Sequence, residues 1–178
     1  MNNMNQLFLQ VALCLTASTL VTASDPSDSA ASTASDSGPT KRDIAYCEKA
    51  TKSFLASNYL SDQSVPVRYF TPAFASLWAW ACTPDQSGFP FYNYEPILET
   101  QDGEPTMHGF GPGIIEDDKI KVPVSYEGNE YFTKEFVFVK VDDRWLIEDI
   151  YTTGLRPGRR SEVTYLKEHQ AIRNQHGH

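Results

Sequence analysis

Four carboxylates fall within DDRWLIEDIY, Asp142–Tyr151, around one tryptophan and three aliphatic side chains. Paired carboxylates are the material of general acid–base chemistry, and an acid set among apolar neighbours has its pKa raised toward the range such chemistry needs. Spacing decides whether this is such a pair. The run has the character of a β-strand, and successive side chains on a strand point to opposite faces. Glu148 and Asp149 are adjacent, so they are expected to face apart, while Asp142 and Asp143 form the tight hairpin turn before the strand. Trp145, Ile147, Asp149 and Tyr151 are then expected on one face, with Leu146, Glu148 and Ile150 on the other. Asp149 is left as a single acid beside aromatic residues. The preferred reading is a carboxylate at the open end of a sheet, solvated or bonded to Arg or Tyr. The sharper one is the base of a small cavity isomerase or hydratase, partnered by Tyr126 or Tyr151.

Other residues offer less chemistry. The stretch from 83 to 113 is rich in Pro and Gly, with Phe89, Phe91, Tyr92 and Tyr94 between them, too many aromatics for a plain loop. They either cover a core edge or line a recognition surface. The candidate ligand- or partner-binding residues are therefore Tyr92, Tyr94, Glu95, Tyr126, Asp149 and Tyr151. GFGPG (Gly109–Gly113) lacks the preceding strand, following helix and Lys-Ser/Thr of a phosphate loop, and reads as a turn leading into a sheet. His108, His169, His176 and His178 do not have the spacing of a structural zinc site. No GxSxG is present, and Cys82 has no histidine nearby in sequence. No catalytic residue, metal or cofactor is assigned.

The elements that would position these residues follow from periodicity. Lys41 to Tyr59 has Ile44, Cys47, Thr51, Phe54 and Leu55 on one helical face. A second helix starts with Thr71 as N-cap and Pro72 in its first turn, carries Phe74, Leu77, Trp78 and Ala81 as its apolar stripe, and stops before Thr83-Pro84. Alternation then marks strands over Ile114–Tyr126 and Tyr131–Val141, with a turn at Glu127-Gly128-Asn129 and the returning strand after Asp142-Asp143. Helices followed by an antiparallel meander make an α+β domain. Strands apolar on both faces call for a cover on the outer face, from a homodimer partner or the C-terminal segment.

The chain has 178 residues, enough for one domain. Residues 1–23 carry no Asp, Glu, Lys or Arg, and Leu7–Val21 is apolar but short for a membrane span. Val21-Thr22-Ala23 supplies small residues for cleavage, so 1–23 reads as a secretory signal peptide, although its start lacks Lys or Arg. Lipidation at Cys14 is disfavoured by the bulky Leu13 before it. Residues 24–40 are almost all Ser, Ala, Thr and Asp and read as a disordered tether. The folded domain is then 41–178, in a periplasmic or secreted protein without stable membrane insertion. Removal of Cys14 leaves Cys47 and Cys82, and two cysteines in an exported domain are expected to pair. All 15 basic residues and 20 of the 23 acids lie beyond residue 40, leaving the domain at −5. That balance argues against nucleic-acid binding. Arg156, Arg159, Arg160, Lys167 and Arg173 give a basic end, read either as a solvated terminal helix or as a dock for an acidic partner or lipid.

Four stretches, RYFTPAFASL (Arg68–Leu77), NYEPILETQD (Asn93–Asp102), IKVPVSY (Ile120–Tyr126) and DRWLIEDI (Asp143–Ile150), resemble a bacterial family of exported proteins of unknown function with the nuclear-transport-factor-two-like, cystatin-like fold. GLRPGRRSEVTYLKEH (Gly154–His169) resembles its closing turn and helix. The resemblance spans about Lys41 to His169. It implies N-terminal helices packed on a curved antiparallel sheet that forms a cone, an exported location, and no particular reaction, since fold alone does not name function. The expectation is an exported binding or accessory protein without catalytic activity, engaging a protein partner or a small ligand. An immunity protein against a toxin delivered to the cell envelope is the second expectation, and the cavity enzyme using Asp149 and a tyrosine the third.

Overall fold

A computed structural model describes residues 38–178, apart from 63, 85–87, 89, 93–95, 98–105, 128–130, 155–157 and 176–178. The proposed signal peptide, nearly all of the tether, Tyr94, Glu95, the Gly128-Asn129 turn, His176 and His178 lie outside the described residues.

Three helices come first. α1 (Lys41–Leu55) starts in a capping box: Thr40 Oγ1 accepts from the Asp43 amide, and the Asp43 carboxylate accepts from the Thr40 amide. It ends four residues before the expected Tyr59, and its buried face is Cys47, Thr51 and Phe54. α2 (Ser64–Tyr69) was not foreseen. α3 (Pro72–Cys82) starts at the Thr71 cap and buries Phe74, Leu77, Trp78 and Ala81, the expected stripe.

The strands are β1 (Thr106–Phe110), β2 (Ile114–Glu116), β3 (Lys119–Glu127), β4 (Tyr131–Val141), β5 (Arg144–Thr153) and β6 (Arg159–Ser161). They form a six-stranded antiparallel sheet in the order β1-β3-β4-β5-β6, with β2 also pairing β3. The first two residues of GFGPG end β1 and the other three cross to β2, so a strand does lead into it. A side chain at Gly111 would meet Pro123 Cγ at 2.7 Å, and one at Gly113 would meet Ile44 Cγ2 at 2.6 Å. The glycines let the crossing run between β3 and α1, where the Gly113 amide donates to Glu48 Oε1 at 2.9 Å. The hairpin turns at Asp117-Asp118 and Asp142-Asp143 use the same chemistry, all four residues holding φ between 47° and 61°. Aspartate tolerates that left-handed region better than most residues, and the resulting turns match strand twist.

The chain does not place all its helices first. α4 (Glu162–Gln175) closes it, packing on α3, β5 and β6, with Leu166 fully buried. The basic end is therefore partly built into the fold: the Arg173 guanidinium lies 5.7 Å from the Trp80 ring centroid, and the Arg160 guanidinium 4.6 Å from that of Tyr165. The core joins the aromatic residues of α1 to α3 with one face of the sheet. Phe54 meets Tyr59, Tyr69, Phe70, Trp78 and Phe136, and Phe70 stacks on Phe74 at 4.3 Å.

Two expectations are corrected. The β4–β5 ladder shifts register between Val137 and Phe138, pairing Val137 with Asp149 but Phe138 with Ile147. Glu148 is the extra residue of a β-bulge. Beyond it parity reverses: Trp145, Ile147, Ile150 and Thr152 share the core face, and Asp149 and Tyr151 sit on the opposite one. The lysine that pairs with Glu148 is Lys119, on the non-core parity of β3, so Glu148 and Asp149 share the outer face instead of facing apart. The second correction is the disulfide. No bond joins Cys47 to Cys82; Cys47 is a free, fully buried thiol. α1 packs on β3 and α2, and α3 on α2, α4 and β5.

Candidate functional site

Asp149 is held as a structural clamp. Its Oδ1 accepts from the Ile150 amide at 2.8 Å and the Val163 amide at 3.0 Å, and its Oδ2 from Ser161 Oγ at 2.5 Å. Ser161 Oγ in turn accepts from the Thr164 amide at 3.0 Å. The carboxylate thus caps the first turn of α4, where free amides and the helix dipole favour negative charge. The bond to a serine and to amides replaces the expected Arg or Tyr partner. Tyr126 is on the core parity of β3, fully buried and stacked on Phe132 at 5.1 Å. Asp149 and Tyr126 therefore lie on opposite faces of the sheet. Tyr151 shares the Asp149 face, and the Arg159 guanidinium covers its ring at 3.6 Å.

That outer face is roofed by the chain's own charges. Lys119 pairs with Glu148, Lys121 with Glu116, and Arg159 with Glu135. Lys119 holds its proton more tightly than a free lysine, chiefly through the Glu148 bond, and Glu116 is more acidic than usual because of Lys121. Val137, on this face, is only 3% exposed. Of the covers expected for this face, a homodimer partner or the C-terminal segment, the second contributes Arg159.

A polar row on the core side was not read from sequence. Val124, Lys134, Thr152 and Arg160 are cross-strand neighbours on β3, β4, β5 and β6. Lys134 is 1% exposed, and its Nζ donates to Thr152 Oγ1 at 2.7 Å and to the Pro96 carbonyl at 3.2 Å. Arg160 lies 3.4 Å from Glu162, a buried carboxylate that also accepts from the Tyr92 hydroxyl. The Tyr92 ring packs 5.2 Å from Trp78, and its amide bonds the Ala81 carbonyl at 3.0 Å. Of the two readings for the aromatic loop, Tyr92 and the half-buried Phe91 follow the first: they cover a core edge. The row joins the sheet to Pro96 through Lys134, and Arg160 meets Glu162 of α4, which Tyr92 also bonds. Strand parity was the available signal, because Lys134 stands between Phe132 and Phe136.

A concave feature lies elsewhere, where α2 and α3 run beside β5 past the end of β6. The Phe70–Ile147 bridge and the Thr71 amide to Ile147 carbonyl bond, 2.9 Å, fix this contact. Between α3 and the β4–β5 hairpin is an open cleft of about 460 Å³. Phe70, Ala75 and Ala79 form its helix side, Val141 and Leu146 its strand side, and Arg144 its rim. Arg144 reaches across to α2, donating to the Arg68 carbonyl at 3.2 Å. The cleft depends on α2 and on a non-local contact, neither of which periodicity reveals.

Among the described residues, no group of three or more His, Cys, Asp or Glu is placed to hold a metal ion, and no helix is long and apolar enough to cross a membrane. No family model, curated protein or solved structure matches the chain.

Proposed function

We propose that the chain is an exported binding protein without catalytic activity, and that it holds its ligand in the cleft between α3 and the β4–β5 hairpin. The observation that carries this reading is the make-up of the cleft: apolar walls from two separate elements, with the charged Arg144 and Asp142 beside them, in the size range of small-molecule sites. The side chains with the most chemistry support it from the other side. Asp149 is spent on capping α4, Tyr126 on core packing and Tyr92 on Glu162. Export is supported by the apolar run Leu7–Val21 within an uncharged first 23 residues. We assign the chain to the exported family it resembles and to the nuclear-transport-factor-two-like fold, because its N-terminal helices and the β3–β4–β5 meander follow that order.

Native mass spectrometry of the chain recovered from the periplasm tests the reading. A small molecule should travel with the wild-type protein and with Asp149→Asn, and be lost from Ala79→Trp, which fills the cleft. Wild-type protein that carries nothing, or Ala79→Trp that keeps its cargo, overturns it.

A further inference from the structure

The walls of the cleft describe its occupant. Phe70 is the one aromatic side chain lining it; the rest of the apolar surface is Pro72, Ala75 and Ala79 on α3 and the branched Val67, Val141 and Leu146, with Ser76 a polar member of the α3 wall. Planar ligands are held between aromatic faces, and no facing pair of rings lines the cleft. Small and branched aliphatic walls instead fit a flexible hydrocarbon chain. Val67, at the opening, is 68% exposed, so the apolar surface continues out to solvent.

The rim supplies the head-group chemistry. Among the described residues, the Arg144 guanidinium has one hydrogen bond, to the Arg68 carbonyl, and no ion pair. A guanidinium offers several N–H donors in a planar fork that matches a carboxylate in bidentate fashion. The neighbouring ion pairs do not use it: Lys140 pairs with Asp143 at 3.3 Å. Asp142 shares the cleft lining. Its charge opposes any anionic head group and opposes a doubly charged one more, so a single negative charge seated on Arg144 is the anion it disfavours least. We infer that the cleft takes a linear aliphatic monocarboxylate, its chain against Phe70, Ala75, Ala79 and Leu146 and its carboxylate on Arg144. This rests on the ligand-binding reading of the same cleft.

Titration calorimetry of the full chain with dodecanoate, dodecanol, dodecylamine and dodecyl phosphate separates the two statements. Dodecanoate should bind most tightly. Arg144→Gln should weaken it at least about tenfold, as loss of a charge-assisted bond does, with dodecanol unchanged. Ala79→Trp should abolish both, and Ala75→Phe serves in its place if that variant does not fold. Equal affinity for dodecanoate and dodecanol, tighter binding of the amine or phosphate, or no effect of Arg144→Gln overturns the carboxylate assignment while leaving a ligand-binding cleft. No binding of any of the four to the wild-type protein overturns the aliphatic assignment, and cargo in the native mass spectrum then decides whether the cleft still binds something else.

Discussion

Asp149 shows how one carboxylate can be read as chemistry or as architecture, and the two differ in the sign of a measurement. A carboxylate kept for acid–base work in an apolar cavity is a cost to stability, so replacing it stabilises the fold. A carboxylate that accepts from two amides and a serine is an asset. Asp149→Ala should therefore lower the urea unfolding free energy by about 1–3 kcal/mol, and an increase would return Asp149 to the list of catalytic candidates. Lys134 makes a matching case on the core face. Its ammonium and Thr152 Oγ1 are 2.7 Å apart and both buried. Lys134→Met and Thr152→Val should each destabilise, and together by less than their sum, because the second change removes a group already left without its partner. Strict additivity would mean the contact contributes nothing. Residue identity made Asp149 conspicuous and Lys134 inconspicuous, since acids beside tryptophan draw attention and a lysine on a strand is taken as solvent-facing. What each does depends on the face it occupies, which residue type does not encode.

The face is set by elements, and one residue of β5 changes it. Glu148 bulges from the ladder, and without it Asp149 and Tyr151 would stand on the core face as strict alternation expects. The bulge lets Ile150 and Thr152 face the core while Asp149 reaches the start of α4. Glu148→Ala should cost less than about 1 kcal/mol, because its bond to Lys119 is a half-exposed ion pair. Deletion of Glu148 should abolish cooperative unfolding, because it turns every following side chain of β5 to the wrong face. A deletion variant with a wild-type melt would show that the bulge does not set the register. Signals held within a few residues were legible: Thr71-Pro72 at the start of α3, the buried stripe behind it, and the Asp142-Asp143 turn. α2 was not, being six residues long with a proline inside it, too short for a helical period to show. β1 was not, because its TMHGF has no apolar alternation and is placed by pairing with β3. The bulge was not, because β5 remains apolar on both parities and carries no mark of the slip.

At the scale of the whole molecule, composition and element order give the α+β class, whereas the cleft and the capping of α4 come from contacts between segments far apart in the chain. The failed disulfide belongs here too. Helical periodicity correctly placed Cys47 on the inward face of α1, but which helix lies opposite is a tertiary fact, and Cys47 packs as a buried thiol. Burial, reinforced by the Asp43 and Glu48 carboxylates, pushes that thiol up from 9.0 to about 12. The unfolded chain ionises first, so the contribution of Cys47 is complete below pH 9 and is lost as pH rises toward 12. At the other limb, Asp43 is held below its ordinary 3.8 by Thr40 and then by the Trp145 indole, so its contribution is present above that value and lost in acid. Urea midpoints of the wild-type protein and of Cys47→Ala isolate the alkaline effect, because lysines and tyrosines titrate alike in both. Cys47→Ala should be the less stable protein at neutral pH, having lost a buried sulfur. The gap between the two should close across pH 9 to 12. A gap that stays constant over that window would mean that Cys47 ionises as readily in the folded protein as in the unfolded chain, and that its place between α1 and β3 is open to water.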